Sequence, residues 1–209
     1  MKQKELNEIL RLHEMWLNDK EGGKRADFQQ NNLQDANLRG ALLGLANLQY
    51  ADLRNANLQD ANLRGALLGL ADLQYADLRN ADLRHADLCD ANLRHADLRH
   101  ADLLDTDLRN ANLQYADLQY ANLRNANLLN SDLRNADLQG VVWDFSCFPL
   151  WCGGAYFKTD VKLLRQLAAH MCTLECDDDE WLALKEAILP FAKKSHRAED
   201  LGLLDREKL

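Results

Sequence analysis

Ala51-Asp52-Leu53-Arg54-Asn55 and Ala76-Asp77-Leu78-Arg79-Asn80 are two statements of one phrase, Ala-(Asp/Asn)-Leu-x-x, which runs from residue 26 to residue 145. That span of 120 residues holds 24 phrases. A fixed period comes before any choice between helix and strand, because it dictates the architecture. With each central Leu written as position i, the small residue is i−2. Five residues advance a helix by about 500°, which would scatter the leucines round its circumference. In a straight strand an odd period sends successive leucines to opposite faces. The chain must therefore turn once per phrase, so that every Leu and Ala points the same way. Positions i−2 and i share the inner side of a short extended segment, and the polar positions i−1, i+1 and i+2 face water or form the corner. With four sides to a turn, a coil takes 20 residues. Coils then stack about 4.8 Å apart, as parallel strands do, in a rod of about six coils and roughly 29 Å.

The phrase resembles the pentapeptide-repeat family over about 120 of the 209 residues. The resemblance implies an all-β solenoid, the right-handed quadrilateral parallel β-helix; both the hand and the four-sidedness come from the family. Departures are few. Phe28 and Trp143 stand for Leu at the two ends, and Asn31, Thr106, Ser131 and Val141 stand for Ala.

A stacked rod leaves strand edges open at its ends, so caps are expected. Three regions follow: 1–23, an N-terminal capping helix and linker; 24–145, the repeat β-helix; and 146–209, a C-terminal helical cap. Residues 3–18 carry Leu6, Ile9, Leu10, His13, Trp16 and Leu17 at helical spacing, and Gly22-Gly23 breaks the pattern. Beyond the repeats, Trp143, Phe145, Phe148, Leu150 and Trp151 form an aromatic junction. Helices are predicted near 160–175 and near 178–189, the second ending before Pro190 with Asp177 as N-cap and Glu180 closing a capping box. The C-terminal module either caps the rod only or also mediates dimerisation, so the chain is a monomer or a homodimer.

Net charge is −8, divided as +1 over 1–25, −7 over 26–145 and −2 over 146–209. Direct nucleic-acid binding needs a basic footprint and is not expected. The charged start Met1-Lys2-Gln3-Lys4-Glu5 and the lack of a long apolar run give no sign of a secretory signal or membrane span, which predicts a cytoplasmic protein. Five cysteines make an odd set without a disulfide framework, and Cys172, Cys176, Cys147, Cys152 and His170 lack the pairing of a structural zinc site. No phosphate loop or nucleophile motif is present. The expectation is a non-enzymatic protein without catalytic residues, metal or cofactor, whose rod binds another protein.

Two surfaces are candidates. Stacking by 20 puts Asp77, Asp97, Asp117 and Asp137 in one outer column, with Arg79 and Arg99 two residues on from the first two. The column is either an imitation of a phosphate backbone or a set of solvated carboxylates bonded to nearby backbone. The resemblance bears on this, since some acidic family members are similar to B-form DNA, bind DNA gyrase or topoisomerase IV and protect these type II topoisomerases from quinolones or inhibit them. Charge density argues against it. A duplex of the rod's length carries roughly 17 charges, against a net −7 here. The second surface is apolar: Leu42, Leu45, Leu67 and Leu70 occupy outward positions in Ala41-Leu42-Leu43-Gly44-Leu45 and its copy. Such a patch is a contact surface, unless the N-terminal helix folds back over it. Residues 33–57 and 58–82 are the same sequence except at Asn47/Asp72 and Asn57/Asp82, an offset of 25 that rotates the copied block by one side. Tyr75, His95 and Tyr115 fall in another column, where stacking for stability is expected.

Overall fold

The computed structural model describes residues 1–142 and 179–194. The chain divides into two compact units, Met1–Lys158 and Thr159–Leu209. Within the repeats every i−1 residue forms a parallel bridge to the residue 20 positions on, from Asp27 with Asn47 to Asn122 with Val142. Four phrases therefore make one turn, the quadrilateral register of a parallel β-helix.

The phrase fits this geometry because it satisfies all five of its backbone N–H groups. Residues 51–55 show the pattern. Asp52 N–H donates to Asn31 O (3.0 Å) in the preceding coil, while Leu53 and Asn55 donate to Asp72 O and Gln74 O (2.7 and 3.0 Å) in the next. Ala51 N–H closes the previous turn on Leu48 O (3.1 Å). Arg54 N–H cannot reach a neighbouring coil, and the Asp52 carboxylate accepts it at 3.3 Å. The same bond recurs at Asn57, Asp72, Asp77 and Asp117. An acceptor at i−1 is thus part of the fold, and Asp and Asn serve it equally.

Position i+2 is the third residue of each turn and lies at φ +56 to +62° in every non-glycine case within the repeats. That left-handed conformation is tolerated best by Gly, Asn, Asp and His, which accounts for most residues found there. Leu and Ala fill the interior: the central residues from Phe28 to Leu138 are at most 2% exposed. The two hydroxyl substitutions are accommodated by backbone acceptors, Thr106 Oγ1 on Leu83 O and Ser131 Oγ on Leu128 O, each at 2.8 Å.

Helix α1 (Gln3–Leu17) lies against the first coil with Leu6 and His13 buried. Gly23 is required where the chain leaves the helix, because a Cβ there would stand 2.4 Å from Trp16 N. In the second unit, α2 spans Asp179–Ala192 and contains Pro190. The expected stop before Pro190 is corrected: the proline removes one intrahelical bond and crowds the carbonyl four residues back, yet the helix runs on to Ala192, and Lys193 N bonds Leu189 O (2.9 Å). The predicted helix near 160–175, the Asp177 cap and the aromatic junction lie outside the described residues.

Candidate functional site

The Asp77 column is in register, with Asp77, Asp97, Asp117 and Asp137 bridged in succession. It is not a bare row of charge. Arg79 forks onto Asp77 (Nε to Oδ1 2.8 Å, NH2 to Oδ2 2.5 Å) and stands 3.6 Å from Asp97. Arg99 repeats this one coil on, bonding Asp97 at 2.8 and 2.5 Å and lying 3.5 Å from Asp117. Asp137 accepts from Gln119 Nε2 (3.1 Å). Carboxylates and guanidinia alternate from Asp77 to Asp117, and the Arg79 hydrogen bond holds the Asp77 carboxyl below its ordinary value against the opposing effect of partial burial.

A local rule explains which acids are neutralised. Wherever the phrase reads Asp-Leu-Arg, at 52–54, 77–79, 82–84, 97–99, 107–109 and 132–134, the arginine folds back onto its own aspartate at 2.5–2.7 Å. Asp132 goes furthest, lowered to about 2 by Arg134 and, against burial, by Gln114. Where the phrase reads Asn-Leu-Arg the two-bond fork is lost, since the amide nitrogen cannot accept, and Arg124 keeps one bond, Nε to Asn122 Oδ1 (3.1 Å). Arg94 Nε, after Asn92, is buried with no hydrogen-bond partner.

The apolar candidates separate. Leu42, Leu45 and Leu70 are 42%, 50% and 49% exposed, and Leu67 is half-buried. Helix α1 does not cover them: its Leu10, Arg11 and Glu14 line a shallow groove with Leu42, and its Leu17 lines a second with Leu45 and His85. Leu45 and Leu70 also sit at the left-handed turn position (φ +62 and +60°), where leucine is a poor fit.

The aromatic column stacks as expected, with ring centroids 4.8 Å apart for Tyr75 and His95 and 4.9 Å for His95 and Tyr115, the spacing of the coils. A second stack, His100 on Tyr120 at 5.1 Å, lies on the next corner and was not picked out from sequence, although the 20-residue register contains it. Cys89 is free, with its thiol pushed up to about 11 by burial and the Asp90 carboxylate; the other cysteines lie outside the described residues. Among the described residues no group of three or more His, Cys, Asp or Glu could hold a metal, and no helix is long and apolar enough to cross a membrane.

The family model described as pentapeptide repeats matches eight copies over residues 24–60, 46–84, 68–105 and 106–142. Similar solved structures include HetL, a pentapeptide repeat protein involved in heterocyst differentiation regulation from the cyanobacterium Nostoc sp. strain PCC 7120. It is 34% identical over 66% of this chain and 65% of its own, with TM-score 0.31. The chain thus spans about two thirds of HetL's length. Rfr23 from the cyanobacterium Cyanothece 51142 is 28% identical over 65% of this chain and 88% of its own, TM-score 0.41. QnrB1, a plasmid-mediated fluoroquinolone resistance protein, is 18% identical over 64% and 75%, TM-score 0.36. No curated protein matches. With its phrases matched from residue 24 to residue 142, the chain belongs to the pentapeptide repeat family.

Proposed function

We propose that this chain is a non-enzymatic binding protein: a right-handed rod of six coils, capped at its N-terminal end by α1, that presents outward leucines to a protein partner. One observation carries the reading. Leu45 and Leu70 occupy left-handed turn positions while leaving about half of each residue in water. Asn or Gly would suit those positions better, and a sparsely populated conformation held by a half-exposed apolar side chain points to a use for that side chain. A capture experiment with the Leu45→Asn/Leu70→Asn double variant tests it. Asparagine favours the turn, so the variant keeps its fold, and the expected result is loss of the partner that wild type retains. Equal capture by both forms rejects the leucine surface.

The second reading, a DNA-like surface for a type II topoisomerase, draws on the continuous register of Asp77, Asp97, Asp117 and Asp137. The interleaved Arg79 and Arg99 dilute that charge. It predicts that the four-fold Asp→Asn variant loses an inhibition or quinolone protection that wild type gives in a gyrase supercoiling assay. No effect of wild type at high protein concentration removes it for that enzyme.

A further inference from the structure

In later coils the i−1 and i+1 carbonyls accept N–H groups from the coil before, as Asp72 O and Gln74 O do from Leu53 and Asn55. The first coil has no coil before it, and α1 supplies donors instead. Gln3 Nε2 donates to Asn37 O (3.3 Å), and His13 Nε2 lies 3.0 Å from Gly44 O. Beneath the helix Phe28, Leu33, Leu38 and Leu43 are as buried as mid-rod leucines.

His13 is the demanding member of this contact. Its ring is fully buried and stacks on Trp16 (5.5 Å, 13°), and Ala26 N–H donates to Nδ1 at 3.1 Å. Nδ1 is therefore unprotonated, and the ring's one proton sits on Nε2, donated to Gly44 O. Only the neutral Nε2–H tautomer serves both bonds. A second proton would set Nδ1–H against Ala26 N–H, donor against donor, in a site closed to water. Among charged groups Arg25 acts on the ring and opposes another positive charge. The carboxylates adjacent in sequence on the two packed elements, Glu14 and Asp27, are exposed and bonded to neither ring nitrogen. Burial holds the imidazole below 6.5, with Arg25 adding to the shift and the Gly44 bond opposing it. The sign follows: at pH above 6.5 the docked and released forms are both neutral and docking is at full strength. As pH falls below 6.5 the released form takes up a proton first, and docking weakens until the docked ring also titrates.

We propose that His13 is a proton-operated latch: protonation releases α1, and the uncovered edge of the first coil pairs with the same edge of a second copy. The occupant follows from the edge itself. It presents carbonyls such as Asn37 O and Gly44 O together with the N–H groups of Asp27, Asn32, Asn37 and Leu42, which in later coils would donate to the coil before. A row carrying both donors and acceptors is complementary to itself across a two-fold axis, and it surrounds an apolar column that pairing would cover again.

Hydrogen exchange and light scattering on the full chain at pH 7.5 and 5.0 test both halves. After correction for intrinsic exchange, protection of residues 5–17 is expected to fall several-fold in wild type between pH 7.5 and 5.0, while the mass doubles. His13→Gln keeps a neutral donor and acceptor, and should hold its protection and mass at both pH values. Protection of α1 that does not change with pH overturns the latch, as does an equal fall in His13→Gln. A fall in protection without a rise in mass overturns the self-pairing. Should His13→Gln fail to dock at pH 7.5, imidazole nitrogen shifts of wild type decide: titration of His13 without loss of α1 protection overturns the proposal.

Discussion

Residues 33–57 and 58–82 carry nearly one sequence, yet they meet different surroundings. Inside the rod the copies behave alike: Leu43 and Leu68 are both at 0% exposure, and Leu53 and Leu78 are at 0% and 1%. Outside they diverge. Arg39 reaches Asp60 (3.3 Å), whereas its counterpart Arg64 makes no ion pair among the described residues. Leu42 is exposed and Leu67 half-buried. Tyr75 stacks on His95, while Tyr50 has Leu70 in the next coil of its column. The offset of 25 against a coil of 20 causes this, because the copy keeps every inner position and moves every outer one to the next face. The phrase specifies the core; the register specifies the surface.

The largest test of that difference is in the core. Leu43→Ala and Leu68→Ala should each cost about 2–5 kcal/mol, with values close to each other, because each removes a fully buried leucine from the same column geometry. Denaturant unfolding of the two variants measures it. A much smaller cost for Leu43→Ala would break the equivalence and show that the first coil relaxes around the cavity more readily than the middle of the rod.

Glycines sharpen the outer half. Gly40 and Gly65 are counterparts with φ +64 and +65°, so alanine at either should cost about 1 kcal/mol for the left-handed backbone. A Cβ at Gly40 meets nothing within 4 Å, but at Gly65 it would stand 2.8 Å from Leu45 Cδ2. Gly65→Ala should therefore lose about 1 kcal/mol more than Gly40→Ala, and Leu45→Asn should remove the excess. Thermal unfolding of the four proteins measures the difference. Equal losses at the two glycines would mean that Leu45 swings aside without cost.

The repeat, the turn per phrase, the inward Leu and Ala columns and the N-terminal helix were legible in the sequence because all of them depend on period. The acidic column was legible as a register, and Arg79 and Arg99, two residues on from Asp77 and Asp97, pointed to local pairing. The detailed geometry was not legible: Asp at i−1 accepts the one N–H that no coil can satisfy, and Arg at i+1 folds back as a two-bond fork onto that same carboxylate. The special place of His13 was not legible. In the sequence it is one more residue on an apolar helical stripe, and its role depends on Gly44 O, 31 residues away, at a coil edge that has no partner coil. The half-exposed state of Leu45 and Leu70 was readable from spacing, whereas their left-handed backbone required the turn geometry.

Asp52 and Asp77 are counterparts that ought to agree, and they give the smallest and most specific effect. Both carry the Asp-Leu-Arg fork, both are partly exposed, and both have an arginine that reaches an aspartate of the next coil, at 3.9 Å for Arg54 and 3.6 Å for Arg79. In each the arginine hydrogen bond holds the carboxyl below 3.8. The folded protein therefore binds fewer protons than the unfolded chain just below that pH. The contribution is fully present above 3.8 and is lost as pH falls through the lower folded value. Asp52→Asn and Asp77→Asn keep the amide oxygen that accepts the i+1 N–H, so only the ion pair is removed. Each should lower stability at pH 6 by less than the Gly65→Ala excess, with the loss shrinking in high salt and vanishing near pH 2. Unfolding midpoints across pH 2 to 6 test this. A loss that persists undiminished at pH 2 would show that the effect is not one of charge and that the amide oxygen of Asn does not replace the Asp oxygen as acceptor of the i+1 N–H, against the equivalence of the two residues at i−1.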